Sequence, residues 1–172
     1  MITYIGIDNG VSGSIGIISV DYQKGTVDVQ FLLTPVKQEL SYQKSKTKML
    51  TRVDYKECKK LFQDIKDKSD RIILALERPM LNPQRYQASL SARASLEAML
   101  ILFEELDIPY SFLDSKEWQK AILPAGIKGS DEQKKASMGV GCRLFPEFKE
   151  AIQKHKDADG LLIAEFLHKK GL

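Results

Sequence analysis

Cysteine is scarce in this chain of 172 residues: Cys58 and Cys142 lie far apart in helix-patterned stretches. Neither sits in a C-x-x-C or comparable metal spacing, which excludes a disulfide scaffold and a thiolate zinc site. Both are expected to be packing residues in a reducing compartment. Long apolar runs are also missing, so no segment approaches the roughly 20 residues that a membrane span needs. No basic leader precedes the first β-prone run. An intracellular protein acting away from membranes is expected. A dominant charge is lacking too, since the net charge is only +3, and composition alone assigns no class of partner. With 43% hydrophobic and 28% charged residues, the chain can bury a core of its own. One domain covering residues 1–172 is expected.

What the chain does have is a set of carboxylates placed at the ends of apolar segments. Ile2 to Asp8 reads Ile-Thr-Tyr-Ile-Gly-Ile-Asp, a short β run that delivers a carboxylate at its carboxyl end. Asn-Gly-Val-Ser-Gly then turns the chain into a second β run, Ser14 to Val20. Asp8 therefore either caps that turn or faces a site at the sheet end. Thr26 to Leu33 is a third strand. Arg71 to Leu76 is a continuous apolar run, short for a helix, and is expected as a buried central strand ending at Glu77. Arg78-Pro79 stops regular pairing there. Glu77 either pairs with Arg78 on the surface or, if its strand runs parallel beside the first, meets Asp8.

Between these strands, Lys37 to Arg52 carries five basic residues against the single acid Glu39, with Tyr42 interleaved, and is expected to be a basic loop. Its Lys44, Lys46 and Lys48 suit phosphate attraction beside an acidic site. Arg52 to Lys68 has helical apolar spacing. Gln84 to Leu106 forms a long helix whose start is crowded with small residues (Ala88 to Ser95), suited to the core and to a dimer contact. Tyr110 to Leu113 is a fifth strand. Helices over Ser115 to Ile122 and Asp131 to Leu144 follow, with Ser130 or Asp131 as the cap of the second. The last helix is expected over Glu150 to His168. Near its start stand His155, Asp157 and Asp159. Residues two apart on a helix diverge by about 200°, whereas those four apart share a face. His155 and Asp159 point together on a continuous helix; Asp157 joins Asp159 only if a helix begins near it.

The set Gly-Ile-Asp8-Asn-Gly, Ala-Leu-Glu77-Arg-Pro and Asp157-Ala-Asp159-Gly-Leu-Leu-Ile-Ala resembles the RuvC family of Holliday junction resolvases, in the ribonuclease H-like superfamily. The stretch from Lys116 through Gly126, and Lys128 to Lys135, is similar to that family's basic segment. The resemblance covers nearly the whole chain in the right order. It implies an α/β fold with a five-stranded mixed sheet, three antiparallel strands followed by two parallel ones, flanked by helices on both faces. It also implies a homodimer that nicks opposing strands of a four-way DNA junction, leaving 5′-phosphate and 3′-hydroxyl ends, with Mg²⁺ as cofactor and Mn²⁺ able to substitute. The matching ligands are Asp8, Glu77 and Asp159. The family has an acid or histidine three residues before the last aspartate; Lys156 stands there in this chain, leaving His155 or Asp157 as the fourth ligand.

The residue types fit the chemistry that the resemblance implies. Phosphodiester hydrolysis needs an activated water and stabilisation of charge on the leaving 3′ oxygen. Two Mg²⁺ ions roughly 4 Å apart, held by hard carboxylate oxygens, supply both. Asp8 would bridge the ions, Glu77 would hold the one beside the nucleophile, and Asp159 with Asp157 or His155 would complete the shell. Lys134 would act at the reacting phosphate; Lys120, Lys128 and Lys135 would bind DNA. Met80 and Tyr86 would wedge or stack at the junction. Two other outcomes stay open: a ribonuclease H-like nuclease acting on RNA or an RNA·DNA hybrid, and a branched-DNA-binding protein without catalysis. The Gly-Ile-Asp opening also resembles the phosphate-binding strand of actin-like ATPases and sugar kinases, but those have two such lobes and only one copy occurs here.

Overall fold

The computed structural model describes residues 1–41, 49–79 and 82–171. In chain order its elements are strands β1 (Ile2–Ile7), β2 (Ser14–Asp21) and β3 (Thr26–Leu33), then the short strands β4 (Val36–Leu40) and β5 (Met49–Val53). Helix α1 (Tyr55–Lys68), strand β6 (Arg71–Glu77), helix α2 (Tyr86–Glu105) and strand β7 (Ser111–Leu113) come next. Four helices complete the chain: α3 (Ser115–Ile122), α4 (Ser130–Leu144), α5 (Lys149–His155) and α6 (Asp159–Lys170). The main sheet has the order β3-β2-β1-β6-β7. β2 pairs antiparallel with both β1 and β3, and β1, β6 and β7 run parallel. This is the expected mixed sheet.

Alternation along the strands sends side chains into two cores. Ile5, Ile7, Ile15, Ile17, Leu74 and Leu76 pack with Cys58, Phe62, Met99, Leu102 and Phe103 under α1 and α2. Tyr4, Ile18, Val20 and Ala75 face the opposite way, against Trp118, Val140, Ile152 and the Leu161–Ala164 stretch of α6. Cys58 is buried in the first core and the partly buried Cys142 packs on the second; both are free thiols, as expected. Among the described residues no helix is long and apolar enough to cross a membrane.

Helix α6 lies directly on the backbone of the central strands. Gly6 and Gly16 face each other across the β1–β2 pair. A methyl on Gly6 would collide with the Gly160 carbonyl oxygen and the Ala164 nitrogen, and one on Gly16 with the Leu161 backbone. The approach is closed from the helix side as well, because a methyl on Gly160 would fall 2.5 Å from the Ser14 carbonyl oxygen. The Gly160 N–H donates to Ser14 Oγ at 3.1 Å, so this polar group is satisfied within the contact.

Three local expectations are corrected. The stretch around Lys37–Arg52 is not simply a loop, because β4 and β5 form an antiparallel pair, and Val53 belongs to β5 rather than to α1. Within the pair, Glu39 accepts from Lys37 at 2.6 Å and Arg52 at 2.7 Å, and Gln38 donates to Thr51 at 2.8 Å. Lys44, Lys46 and Lys48 lie outside the described residues. Helix α4 begins after Gly129, whose φ of 92° suits glycine, and neither Ser130 nor Asp131 caps it. The carboxyl-terminal helix is two helices. The chain turns at Lys156, in the left-handed region at φ 79°, and α6 starts afresh at Asp159.

The glycine contact yields a stability prediction. Gly16→Ala is expected to cost on the order of 3 kcal/mol, since the obstacle is backbone and cannot rotate away. Gly139→Ala in α4, where a methyl meets open space, should be neutral or stabilising by up to about 1 kcal/mol. Urea unfolding of both variants measures the difference; equal midpoints would show that α6 does not depend on this close approach.

Candidate metal centre

Parallel pairing of β1 and β6 matches Ile7 with Leu76, so the residues that follow, Asp8 and Glu77, emerge side by side at the carboxyl end of the sheet. Alternation sets their direction: Asp8 continues the Tyr4–Gly6 side of β1, and Glu77 continues the Ala75 side of β6. Both therefore point toward α6. Asp159 opens α6, and its first-turn position puts it where the helix end favours negative charge. Asp157 comes from the break between α5 and α6. One oxygen from each of Asp8, Asp157 and Asp159 lies within 4.8 Å of the others. Glu77 borders this trio, accepting a hydrogen bond from Asp8 and another, at 2.9 Å, from the Trp118 indole N–H.

The surface alternative for Glu77 is not what the chain adopts. Arg78 turns away, 3.4 Å from Asp114 and over the Phe112 ring. The two placements considered for the fourth acid are also resolved. Because the helix is broken, Asp157 joins Asp159, and His155 lies behind it, with Nε2 3.2 Å from Asp157 Oδ1 and its ring against Phe31. Lys156 is exposed at the turn.

Two residues that hold the acids went unassigned from the sequence. The Ser137 hydroxyl donates to Asp159 Oδ1 and accepts from the Ala158 N–H at 3.1 Å, fixing the carboxylate and the entry of α6 together. Trp118, with no exposed surface, secures Glu77. A signal existed for each: Ser137 is a polar residue on the apolar side of α4, in line with Val140 and Gly141, and Trp118 is the chain's one tryptophan.

Electrostatically the acids are poorly compensated. Burial, then Glu77, Asp159 and Asp157, push Asp8 well above the carboxylate range, against a small opposing pull from Lys134. Burial and Asp157 push Asp159 up to about 7, although Ser137 opposes them. Glu77 is raised by burial, with Trp118 and Asp8 pulling the other way. Asp157 alone is lowered: burial opposes ionisation, but His155, Lys134 and the Asp159 N–H outweigh it. Lys134 reaches Asp157 at 3.5 Å from an otherwise exposed position on α4. The donor set fits a hard divalent cation, because it is all carboxylate oxygen.

Of the remaining candidates, Lys120, Lys128 and Lys135 are exposed on or between α3 and α4, and Lys135 is 3.4 Å from Glu132. Tyr86 is exposed at the start of α2. Met80 lies outside the described residues.

No protein-family model and no curated protein sequence matches this chain. Solved structures do. The Thermus thermophilus RuvC protein in complex with a Holliday junction substrate matches with a TM-score of 0.56 at 16% identity, covering 98% of this chain and 96% of that one. The Thermus thermophilus RuvC structure solved without a named substrate matches with a TM-score of 0.50 at 15% identity over the same shares, 98% and 96%. The chain therefore has the ribonuclease H-like fold that its motifs implied.

A pH dependence follows from the crowded acids. Groups raised in the folded state, such as Asp159 at about 7, bind protons more tightly there than in the unfolded chain. The stability they provide is complete below about pH 4 and is lost as pH rises through about 7; Asp157, lowered, acts in the opposite sense. Metal-free protein should thus lose stability between about pH 5 and pH 8, by on the order of a few kcal/mol. Asp8→Asn, which removes one buried charge, should flatten that slope and raise the urea midpoint at about pH 8. A variant less stable than the parent at that pH would contradict this account of the cluster.

Proposed function

We propose that this chain is a divalent-metal-dependent endonuclease that resolves four-way DNA junctions by paired nicks in opposing strands. The observation that carries the reading is the convergence of Asp8, Glu77, Asp157 and Asp159 at one sheet end, in a fold shared with a RuvC protein whose structure holds a Holliday junction. Asp8, Asp157 and Asp159, with Glu77 beside them, hold Mg²⁺, or Mn²⁺ in its place. A bound divalent cation lowers the pKa of water and stabilises charge on the leaving oxygen. His155 serves Asp157 rather than binding the cation itself.

The protein's own groups do the rest. Trp118 and Ser137 fix the orientation of Glu77 and Asp159 before substrate arrives, so little reorganisation is needed. Lys134, 3.5 Å from Asp157, moves from that carboxylate to a non-bridging oxygen of the scissile phosphate. Lys120, Lys128 and Lys135, with Lys44, Lys46 and Lys48, draw the phosphates of the junction arms toward an otherwise repulsive site. Met80 and Tyr86, which follow Glu77 in the chain, pack against unstacked bases at the branch point.

The whole chain acts as one nuclease domain, and paired nicks require two copies of it. Leu90 and Ile101 on α2, with 44% and 52% of their surface exposed, supply apolar area beyond what the core uses. They form part of the contact between copies in a homodimer. The protein's place of action is inside a cell, on DNA undergoing recombination or repair.

A synthetic four-way junction incubated with Mg²⁺ tests the reading beside linear duplex and an RNA·DNA hybrid. Symmetric paired nicks in the junction are expected from the parent protein. Asp8→Asn should slow them roughly 1,000-fold or more, and Lys134→Ala about 100-fold. Cutting of the hybrid alone would move the protein to the ribonuclease branch of the fold. Junction binding with no cutting in Mg²⁺ or Mn²⁺ would leave a binding protein only.

A further inference from the structure

Trp118 is unusual in its partner. It is the single tryptophan of the chain, fully buried on the α6 side of the sheet among Leu113, Leu161 and their neighbours. A buried indole N–H needs an acceptor. Here the acceptor is not a backbone carbonyl but one carboxylate oxygen of Glu77, at 2.9 Å. The contact joins two elements far apart in sequence, since Glu77 ends β6 and Trp118 lies in α3. Glu77 has three rotatable side-chain bonds and emerges where regular pairing stops, after its match with Leu113 of β7. The indole N–H ties Oε1 of this mobile side chain to a fixed helix and so holds the carboxylate against the sheet end. The bond is part-buried, and with an ionised carboxylate as acceptor it is charge-assisted, which makes it strong and directional.

We propose that Trp118 is a positioning residue for the metal centre: its indole N–H takes one oxygen of Glu77 and presents the other toward Asp8 and the cation. The inference rests on the metal-centre reading above. It also makes the tryptophan a reporter built into the site, because ionic changes at Glu77 act directly on the only indole in the chain. Its role is distinct from that of the surrounding apolar core, which needs the ring of Trp118 but not its nitrogen.

Trp118→Phe separates the two roles, keeping a buried ring and removing the donor. Mn²⁺ affinity of the full chain, measured by electron paramagnetic resonance of free Mn²⁺, is expected to fall about 10- to 100-fold, the range found when an outer partner of a ligand is lost. Phe62→Leu, in the core on the opposite face, lowers thermal stability but should leave Mn²⁺ affinity within about twofold, since its effect is confined to packing. A second measurement does not depend on the variant folding. The parent protein has one indole N–H resonance, and Glu77→Gln should shift it upfield as a charged acceptor becomes neutral; added Mg²⁺ should shift it in the parent but not in Asp8→Asn.

The outcomes are separable. Parental Mn²⁺ affinity in folded Trp118→Phe, or an indole resonance unmoved by Glu77→Gln, would overturn the positioning role while leaving the metal centre intact. Failure of the parent itself to bind Mn²⁺ would overturn the metal centre and, with it, this role. Weakened binding in Trp118→Phe with unaltered binding in Phe62→Leu supports it.

Discussion

The close approach of α6 to the β1–β2 backbone is the constraint from which the rest of the arrangement follows. Side chains normally hold a helix about 10 Å above a sheet, as they do for stacked layers generally. Gly6, Gly16 and Gly160 remove them at the crossing, and the helix sinks until backbone meets backbone. Only then can the first residue of α6 share a space with the last positions of β1. With an alanine's worth of extra separation Asp159 would stand away from Asp8, and the acids would become separate surface groups. The same contact explains why Ser14 is buried and bonded to Gly160: the hydroxyl replaces the water that the helix N–H would otherwise keep.

Such packing brings together groups that repel one another. Three of the four carboxyls are raised by their surroundings, and the charge of Lys134 offsets this only in part, at Asp8 and Asp159. Apolar residues around them would give a more stable core, and the fold instead concentrates like charge in a half-buried pocket. Sites where local rules are broken are where function is expected, since the molecule as a whole must stabilise them. The supporting donors are placed accordingly. Ser137 and Trp118 each serve one acid from a different helix, so the cluster is tied to α3 and α4 as well as to the sheet.

How far this was legible in the sequence depended on whether a feature was local. Strand ends at Asp8 and Glu77 could be read because apolar runs stop there and turn residues follow. Their meeting required parallel pairing, which the run of Arg71–Leu76 suggested through its continuous apolarity. The pairing of β4 with β5 was missed because its residues are mostly exposed and its apolar positions sit at the strand ends, giving no periodic apolar signal. Ser137 and Trp118 escaped for a different reason. A hydrogen bond between residues 22 or 41 positions apart leaves no pattern in either segment. Only a polar group in an apolar setting hints that a partner exists, and it does not say which.

The break before α6 shows why ligand spacing is a statement about backbone conformation rather than about counting. On an unbroken helix a partner for Asp159 belongs three or four residues earlier, which points to Lys156 or His155. Lys156 instead adopts the left-handed conformation and ends α5. The chain then takes two non-helical residues to reach α6, and along them Asp157 turns into the cluster while Lys156 turns out. The αL geometry costs a non-glycine residue on the order of 1 kcal/mol or more, so something must hold it. Asp157 is held from three sides, by His155, Lys134 and the Asp159 N–H. The shift of one position thus replaces a lysine by an aspartate at the acidic pocket and converts His155 from an alternative ligand into the group that steadies one. A carboxylate two residues from its partner can occupy the place that a helical spacing would assign to a third.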